Sequence, residues 1–155
     1  MSYYPITGTT ENELISAVLS GGPANCQMAD AAACFSNSFK WSYQAVTDAG
    51  RSVCSVTNVD FQATYSMIFP QWVGPAHVPP TLATWWRKVM DHFVWHESQH
   101  LAIAKSYAVK LQTAIAGGPC DQSGQKALTD PLEAQLQAAQ AAFDVQDRSW
   151  TWPAL

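Results

Sequence analysis

The chain has 155 residues, a formal net charge of −4, 48% hydrophobic residues and only 13% charged ones. That length fits one domain with a real core. The acidic balance, with no basic stripe, argues against nucleic acid as a partner, and no run of about 18 apolar residues is present to span a membrane.

Low charge and seven tryptophans fit a secreted or periplasmic protein. Met1-Ser2-Tyr3-Tyr4-Pro5 has no signal-peptide pattern and reads as a start codon before a mature sequence. The four cysteines, Cys26, Cys34, Cys54 and Cys120, form no C-x-x-C, which argues against a thiolate zinc site or a thioredoxin motif. An even count at wide spacing implies two disulfides in an oxidising compartment. The expected pairs are Cys26–Cys34, closing a small loop, and Cys54–Cys120, tying a strand to the end of a long helix.

Tyr3 to Gly8 is a short apolar start, an edge strand or an extended arm. Thr9 or Thr10 then caps a first helix, with Glu13 as the capping-box partner of Thr10. Leu14, Ile15, Val18 and Leu19 form its apolar face, and Gly21-Gly22-Pro23 ends it. Residues 23–36 read as a small-residue loop. Phe39, Trp41 and Tyr43 alternate with Lys40, Ser42 and Gln44, the pattern of a half-buried strand. After a turn at Asp48-Ala49-Gly50, a second strand starts near Ser52. It is clearest where Val59, Phe61, Ala63, Tyr65, Met67 and Phe69 alternate with polar residues. Residues 70–80 read as a Pro-rich crossing loop.

A long helix follows from Pro80 or Thr81 to about Ala116, closed by Gly117-Gly118-Pro119. A last helix is expected from Leu128 or Pro131 to Arg148, with Leu132, Leu136, Ala139 and Phe143 as its inner stripe. The Trp150-Thr151-Trp152-Pro153 tail has no clear place. The fold class is α+β: a small antiparallel sheet packed on a long helix, plus a C-terminal helix, in one domain over 1–155.

The long helix carries Trp95-His96-Glu97-Ser98-Gln99-His100, an H-E-x-x-H motif and the zinc-protease signature. Two imidazoles at i and i+4 share a helix face and can reach one ion. His96 and His100 fall in a stripe that runs Leu82, Trp86, Val89, Phe93, His96, His100, Ile103, Tyr107, Leu111. Glu97 is expected at the edge of that stripe, as the general base for a zinc-bound water. Two histidines and a glutamate on a buried face are costly without a strong partner, and a metal supplies one. His92, four residues before His96, makes a second i, i+4 pair without a Glu and reads as a surface or supporting residue.

A catalytic zinc takes three protein ligands and leaves one position open. No histidine follows His100, so the third ligand is sought among Asp121, Asp130, Glu133, Asp144 and Asp147. By periodicity Asp147 lies closer than Asp144 to the buried stripe of the last helix. An oxyanion stabiliser is sought among Tyr107, Tyr65, Tyr43 and His77. The strand at 59–69 and the Pro70-Gln71-Trp72 exit are candidates for a wall against which an extended peptide lies.

The whole chain resembles a bacterial family of unknown function whose members are described as predicted secreted zinc-dependent proteases. The matching pieces are Tyr4-Pro5-Ile6-Thr7-Gly8, Trp41 and Tyr43, Cys54-Ser55-Val56-Thr57-Asn58-Val59, Pro70-Gln71-Trp72, the H-E-x-x-H helix, Cys120, and Gln140-Ala141-Ala142-Phe143-Asp144. The family pattern ends in a Tyr-Asp-x-x-Thr-x-His-Gly type segment. Here Phe143-Asp144 match its start, while Asp147, Ser149 and Trp150 stand where Thr, His and Gly would be. The resemblance therefore implies Asp144 as third ligand, with Asp147 second, in a ligand set similar to that of the aspzincins. It implies a zincin-like fold and a secreted Zn²⁺-dependent endopeptidase with Glu97 as its base. Tyr107, on the same helical stripe two turns beyond His100, is a candidate oxyanion donor from its position on that stripe. The expected partner is a peptide or protein substrate, with no nucleic acid and no membrane, and the chain is expected to be a monomer. Co²⁺ or Mn²⁺ would fit the same ligands. The alternatives are a zinc hydrolase of another amide, such as a cell-wall peptide, and a non-catalytic zinc-binding module.

Overall fold

The computed structural model describes residues 1–22, 32–48, 50 and 53–155. In chain order the elements are β1 (Ser2–Ile6), α1 (Glu11–Gly21), β2 (Cys34–Asp48), β3 (Val53–Trp72), α2 (Pro80–Gly117) and α3 (Gln122–Asp147). The class is α+β. The three strands form one sheet in the order β1-β3-β2. Only four residues join β2 to β3, which permits an antiparallel hairpin and no crossover. β1 lies parallel to β3, with Ser2 opposite Ile68 and Ile6 opposite Trp72. The sheet is thus mixed, where the sequence led us to expect a purely antiparallel one. The long intervening chain between β1 and β3 supplies the crossover that a parallel pair requires.

The chain divides into two compact units, each assembled from separate segments. The first comprises Met1–Ser36, Tyr65–His100 and Asp147–Leu155; the second comprises Asn37–Thr64 and Leu101–Gln146.

In the first unit, α1 starts as a capping box. The Thr10 hydroxyl accepts from the Glu13 amide, and the Glu13 carboxylate accepts from the Thr9 and Thr10 amides. Those hydrogen bonds hold the Glu13 carboxyl below its ordinary pKa. Ile6, Leu14, Val18, Met67, Phe69, Leu82, Trp85, Val89 and Phe93 are buried here. β3 runs on through Pro70-Gln71-Trp72, where the sequence predicted loop, because β1 pairs with these residues. The Val73 amide then donates to Ile6 O and the Trp72 indole to Gly8 O. The C-terminal tail folds back on the first half of α2. Trp152 stacks on Trp85 at 6.1 Å between centroids, and the Trp85 indole donates to Pro153 O at 2.6 Å.

In the second unit, Trp41 and Phe39 each stack on Phe61 across the hairpin. Asn58 sits at φ 51°, in the left-handed region that Asn tolerates better than most residues. Its side-chain amide donates to Gln44 Oε1 at 2.6 Å. The Cys54–Cys120 disulfide is present, with Cα atoms 6.1 Å apart. It joins β3 to the α2–α3 connection, as the spacing led us to expect. The Cys26–Cys34 pairing involves Cys26, which lies outside the described residues. α3 begins at Gln122, earlier than the Leu128 or Pro131 start read from sequence. Asp121 explains the difference. Its Oδ1 accepts from the Ser123 hydroxyl at 2.6 Å and the Gly124 amide at 2.7 Å, a cap that satisfies the first turn. The same bonds, the Ser123 hydroxyl foremost, hold the Asp121 carboxyl low. The helix continues through Pro131. Gln125 closes the end of α2 by donating to Ile115 O, which also accepts from the Gly118 amide, and to Pro119 O just beyond the helix.

Candidate metal centre

α2 buries Leu82, Trp85, Val89, Phe93, Glu97, His100, Ala104, Ala108, Leu111 and Ile115. The helical stripe is real, but it sits slightly rotated from the one counted off the sequence. Glu97, expected at the edge, is in its middle at 5% exposure. His96, expected inside, lies at its margin with a side chain 22% exposed. An apolar count weights Trp86 and Tyr107 equally with Trp85 and Ala108. The structure prefers the latter pair, and the axis of the stripe turns with them.

His96 Nε2 and His100 Nε2 face each other at 3.0 Å. Two ligands on a tetrahedral ion with bonds of about 2.0–2.1 Å lie roughly 3.3 Å apart. The pair therefore needs to open by only a few tenths of an ångström to bind one ion. His100 is 8% exposed and stacks on Phe35, the rings 6.1 Å apart and 11° from parallel. Phe35 stacks in turn on Tyr65 at 6.3 Å. Burial pushes the Tyr65 phenol up.

The opposite edge of the His96 ring meets Asp147, with Nδ1 to Oδ2 at 2.7 Å. The same carboxylate oxygen lies 3.1 Å from His92 Nε2. The donor atoms of His92, His96 and Asp147 all fall within 4.8 Å of one another, a set able to hold an ion. His92 is further fixed by Trp150, which stacks flat on it with centroids 4.1 Å apart and an interplanar angle of 2°. Burial lowers the His92 pKa. The Asp147 charge opposes this and the neighbouring His96 adds to it. The Trp150 amide donates to Asp147 O, turning the chain as α3 ends. Sequence reasoning left Trp150 unplaced and treated His92 as peripheral. The one available signal was that His92, His96 and His100 recur every fourth residue, so that His96 has a histidine on each side along the helix.

Asp144 stands one turn before Asp147 on α3, half-buried, in the second unit. Tyr107 is also in the second unit, with the Lys110 ammonium 3.9 Å from its ring centroid. The Tyr43 hydroxyl donates to Cys120 O at 3.2 Å, which commits it to the fold. His77 is exposed in the segment after β3. The Pro70-Gln71-Trp72 exit, expected as a wall for an added strand, is already paired with β1. Among the described residues no helix is long and apolar enough to cross a membrane.

Fold and site together define an α+β protein with clustered histidines and carboxylates able to hold a metal ion. Residues 1–149 match the model of the family described as "Bacterial protein of unknown function (DUF922)". The chain belongs to that family. No curated protein and no solved structure matches it.

Proposed function

We propose that this chain is a secreted zinc-dependent endopeptidase that holds its ion through His96 and His100, with Asp144 the third ligand that the family resemblance implies. The observation that carries the reading is the approach of His96 Nε2 to His100 Nε2 at 3.0 Å, one turn apart on α2, with buried Glu97 next to His96. Imidazole and carboxylate donors suit zinc. Asp144 is preferred to Asp147 because Asp147 meets the Nδ1 edge of His96, away from the edge that faces His100. When bound, zinc supplies Lewis acidity toward the scissile carbonyl and makes water easier to deprotonate. Glu97 takes the proton of the attacking water and passes it to the leaving amine. A phenol completes the oxyanion environment. Tyr107 is the candidate from sequence, and Tyr65 is favoured by its aromatic link to His100 through Phe35. The Cys54–Cys120 disulfide is compatible with secretion.

The test is cleavage of a quenched fluorescent unfolded protein by the wild type and by Glu97→Ala, with zinc content measured on both. Zinc in both and cleavage by the wild type alone is the expected result. Zinc in both and cleavage by neither moves the reading to another amide substrate or to a non-catalytic zinc module. Zinc in neither overturns the metal reading.

A further inference from the structure

We propose that Asp147 is a positioning residue for the metal centre: clamped by His92 and Trp150, it fixes His96 in the tautomer that presents Nε2 to the ion. This rests on the zinc reading above and assigns work to three residues that the reading does not use.

A carboxylate oxygen only accepts hydrogen bonds. Asp147 Oδ2 lies 2.7 Å from His96 Nδ1 and 3.1 Å from His92 Nε2, so both nitrogens carry hydrogens toward it. A neutral imidazole has one N–H. With the His96 hydrogen on Nδ1, its lone pair is on Nε2, the atom that faces His100. The 2.7 Å separation is a charge-assisted hydrogen bond, well short of the roughly 3.3 Å between co-ligands of a tetrahedral ion. Asp147 also meets the Nδ1 edge of His96, away from the Nε2 edge that faces His100, so with Nε2 toward the ion it acts as the orienting partner of His96. The arrangement is the carboxylate–histidine–metal relation that fixes tautomer and ring angle in metal sites.

His92 and Trp150 keep Asp147 in place. Asp147 is the last residue of α3, where a helix end would fray. The Trp150 amide holds its carbonyl, and the Trp150 ring lies flat on His92. Trp150 also contacts Phe93 at 6.0 Å and Trp152 at 5.2 Å, so the clamp is anchored in the aromatic packing of the tail. His92 consequently needs its hydrogen on Nε2, the opposite tautomer to His96. Two histidines one turn apart are held in opposite protonation patterns by a single oxygen.

The experiment has two readouts. The first is zinc affinity by chelator competition for the wild type, Asp147→Asn, Asp147→Ala, His92→Phe and Asp144→Ala. The second is the ¹⁵N imidazole spectrum of the metal-free wild type and Asp147→Ala, above neutral pH, which reports the His96 tautomer directly. We expect Asp147→Ala to bind zinc about 10–100-fold more weakly, and Asp147→Asn and His92→Phe to lose less. The metal-free wild type is expected to show His96 protonated on Nδ1 and Asp147→Ala a mixture. A merely structural role would move thermal stability and leave the tautomer alone. Unchanged affinity and tautomer in Asp147→Ala overturns the proposal, as does loss of all zinc in Asp147→Ala with retention in Asp144→Ala, which makes Asp147 a ligand. If the wild type binds no zinc, the function proposed above fails, while the metal-free spectrum still decides the tautomer claim.

Discussion

The two halves of α2 keep the same period of burial and fill it with different residues. Before Leu101 the buried face is Leu82, Trp85, Val89, Phe93, Glu97 and His100; after it the face is Ala104, Ala108, Leu111 and Ile115. The first half belongs to a unit packed by large aromatics and carries His92, His96 and His100. The second belongs to a unit closed by the Cys54–Cys120 bond and by Gln125 on the end of α2. Rings such as Phe35 on His100 and Trp150 on His92 hold imidazoles at fixed angles, which small side chains cannot do. The histidines therefore sit in the half of the helix whose neighbours can orient them. The other half is secured by a covalent staple and a helix-end clamp.

The sharpest break of this comparison is His100→Gln. It leaves a polar group on the buried face but removes one of the two facing Nε2 atoms. We expect the variant to stay folded and to lose stoichiometric zinc on dialysis, measured by metal analysis beside the wild type. Full zinc retention would place the ion elsewhere and remove the contrast between the halves.

Next in size is the disulfide. It spans a sequence separation of 66, and the chain-entropy argument assigns such a loop about 4 kcal/mol. The double variant Cys54→Ser/Cys120→Ser is expected to lose most of that stability in chemical unfolding. Beyond that global loss, amide exchange should show extra local opening in residues 53–64 of the hairpin and in the end of α2 near Gly117. A loss spread evenly over the chain would contradict the view that this bond secures the second unit.

Much of this was legible in the sequence, for identifiable reasons. The capping box at Thr10 and Glu13 and the alternation through β3 are local signals, and local signals survive tertiary packing. So did the H-E-x-x-H turn, whose spacing puts both imidazoles on one face of the helix. The misses were non-local, with one exception at the start of α3. β1 turned the sheet mixed, and its pairing extended β3 through Pro70, which no pattern inside either segment encodes. The start of α3 was read at a proline because proline is the louder signal, although Asp121 was the better cap. The Asp147–His92–Trp150 clamp joins positions far apart in the chain through one carboxylate oxygen and one ring face. Periodicity could place Asp147 near a buried stripe, and it could not say which edge of which histidine the carboxylate would meet.

The smallest effect separates the two units by their helix caps under acid. Glu13 in the first unit and Asp121 in the second each accept hydrogen bonds that hold the carboxyl below its ordinary pKa. For a group whose folded pKa is depressed, the stabilising contribution is present above the unfolded pKa. It is lost as pH falls through the folded pKa. Both caps should therefore weaken on acidification below about 4. Both carboxylates are exposed, so solvent screening keeps each contribution small. Glu13→Gln and Asp121→Asn retain an acceptor oxygen and remove the charge. Each should unfold slightly more easily than the wild type at neutral pH, with the difference shrinking as the pH drops. Thermal unfolding of the three proteins across that range, followed by amide exchange within α1 and the first turn of α3, reads the two caps separately. If the differences persist unchanged in acid, the carboxylate charge is not what stabilises these turns, and the caps act through geometry alone.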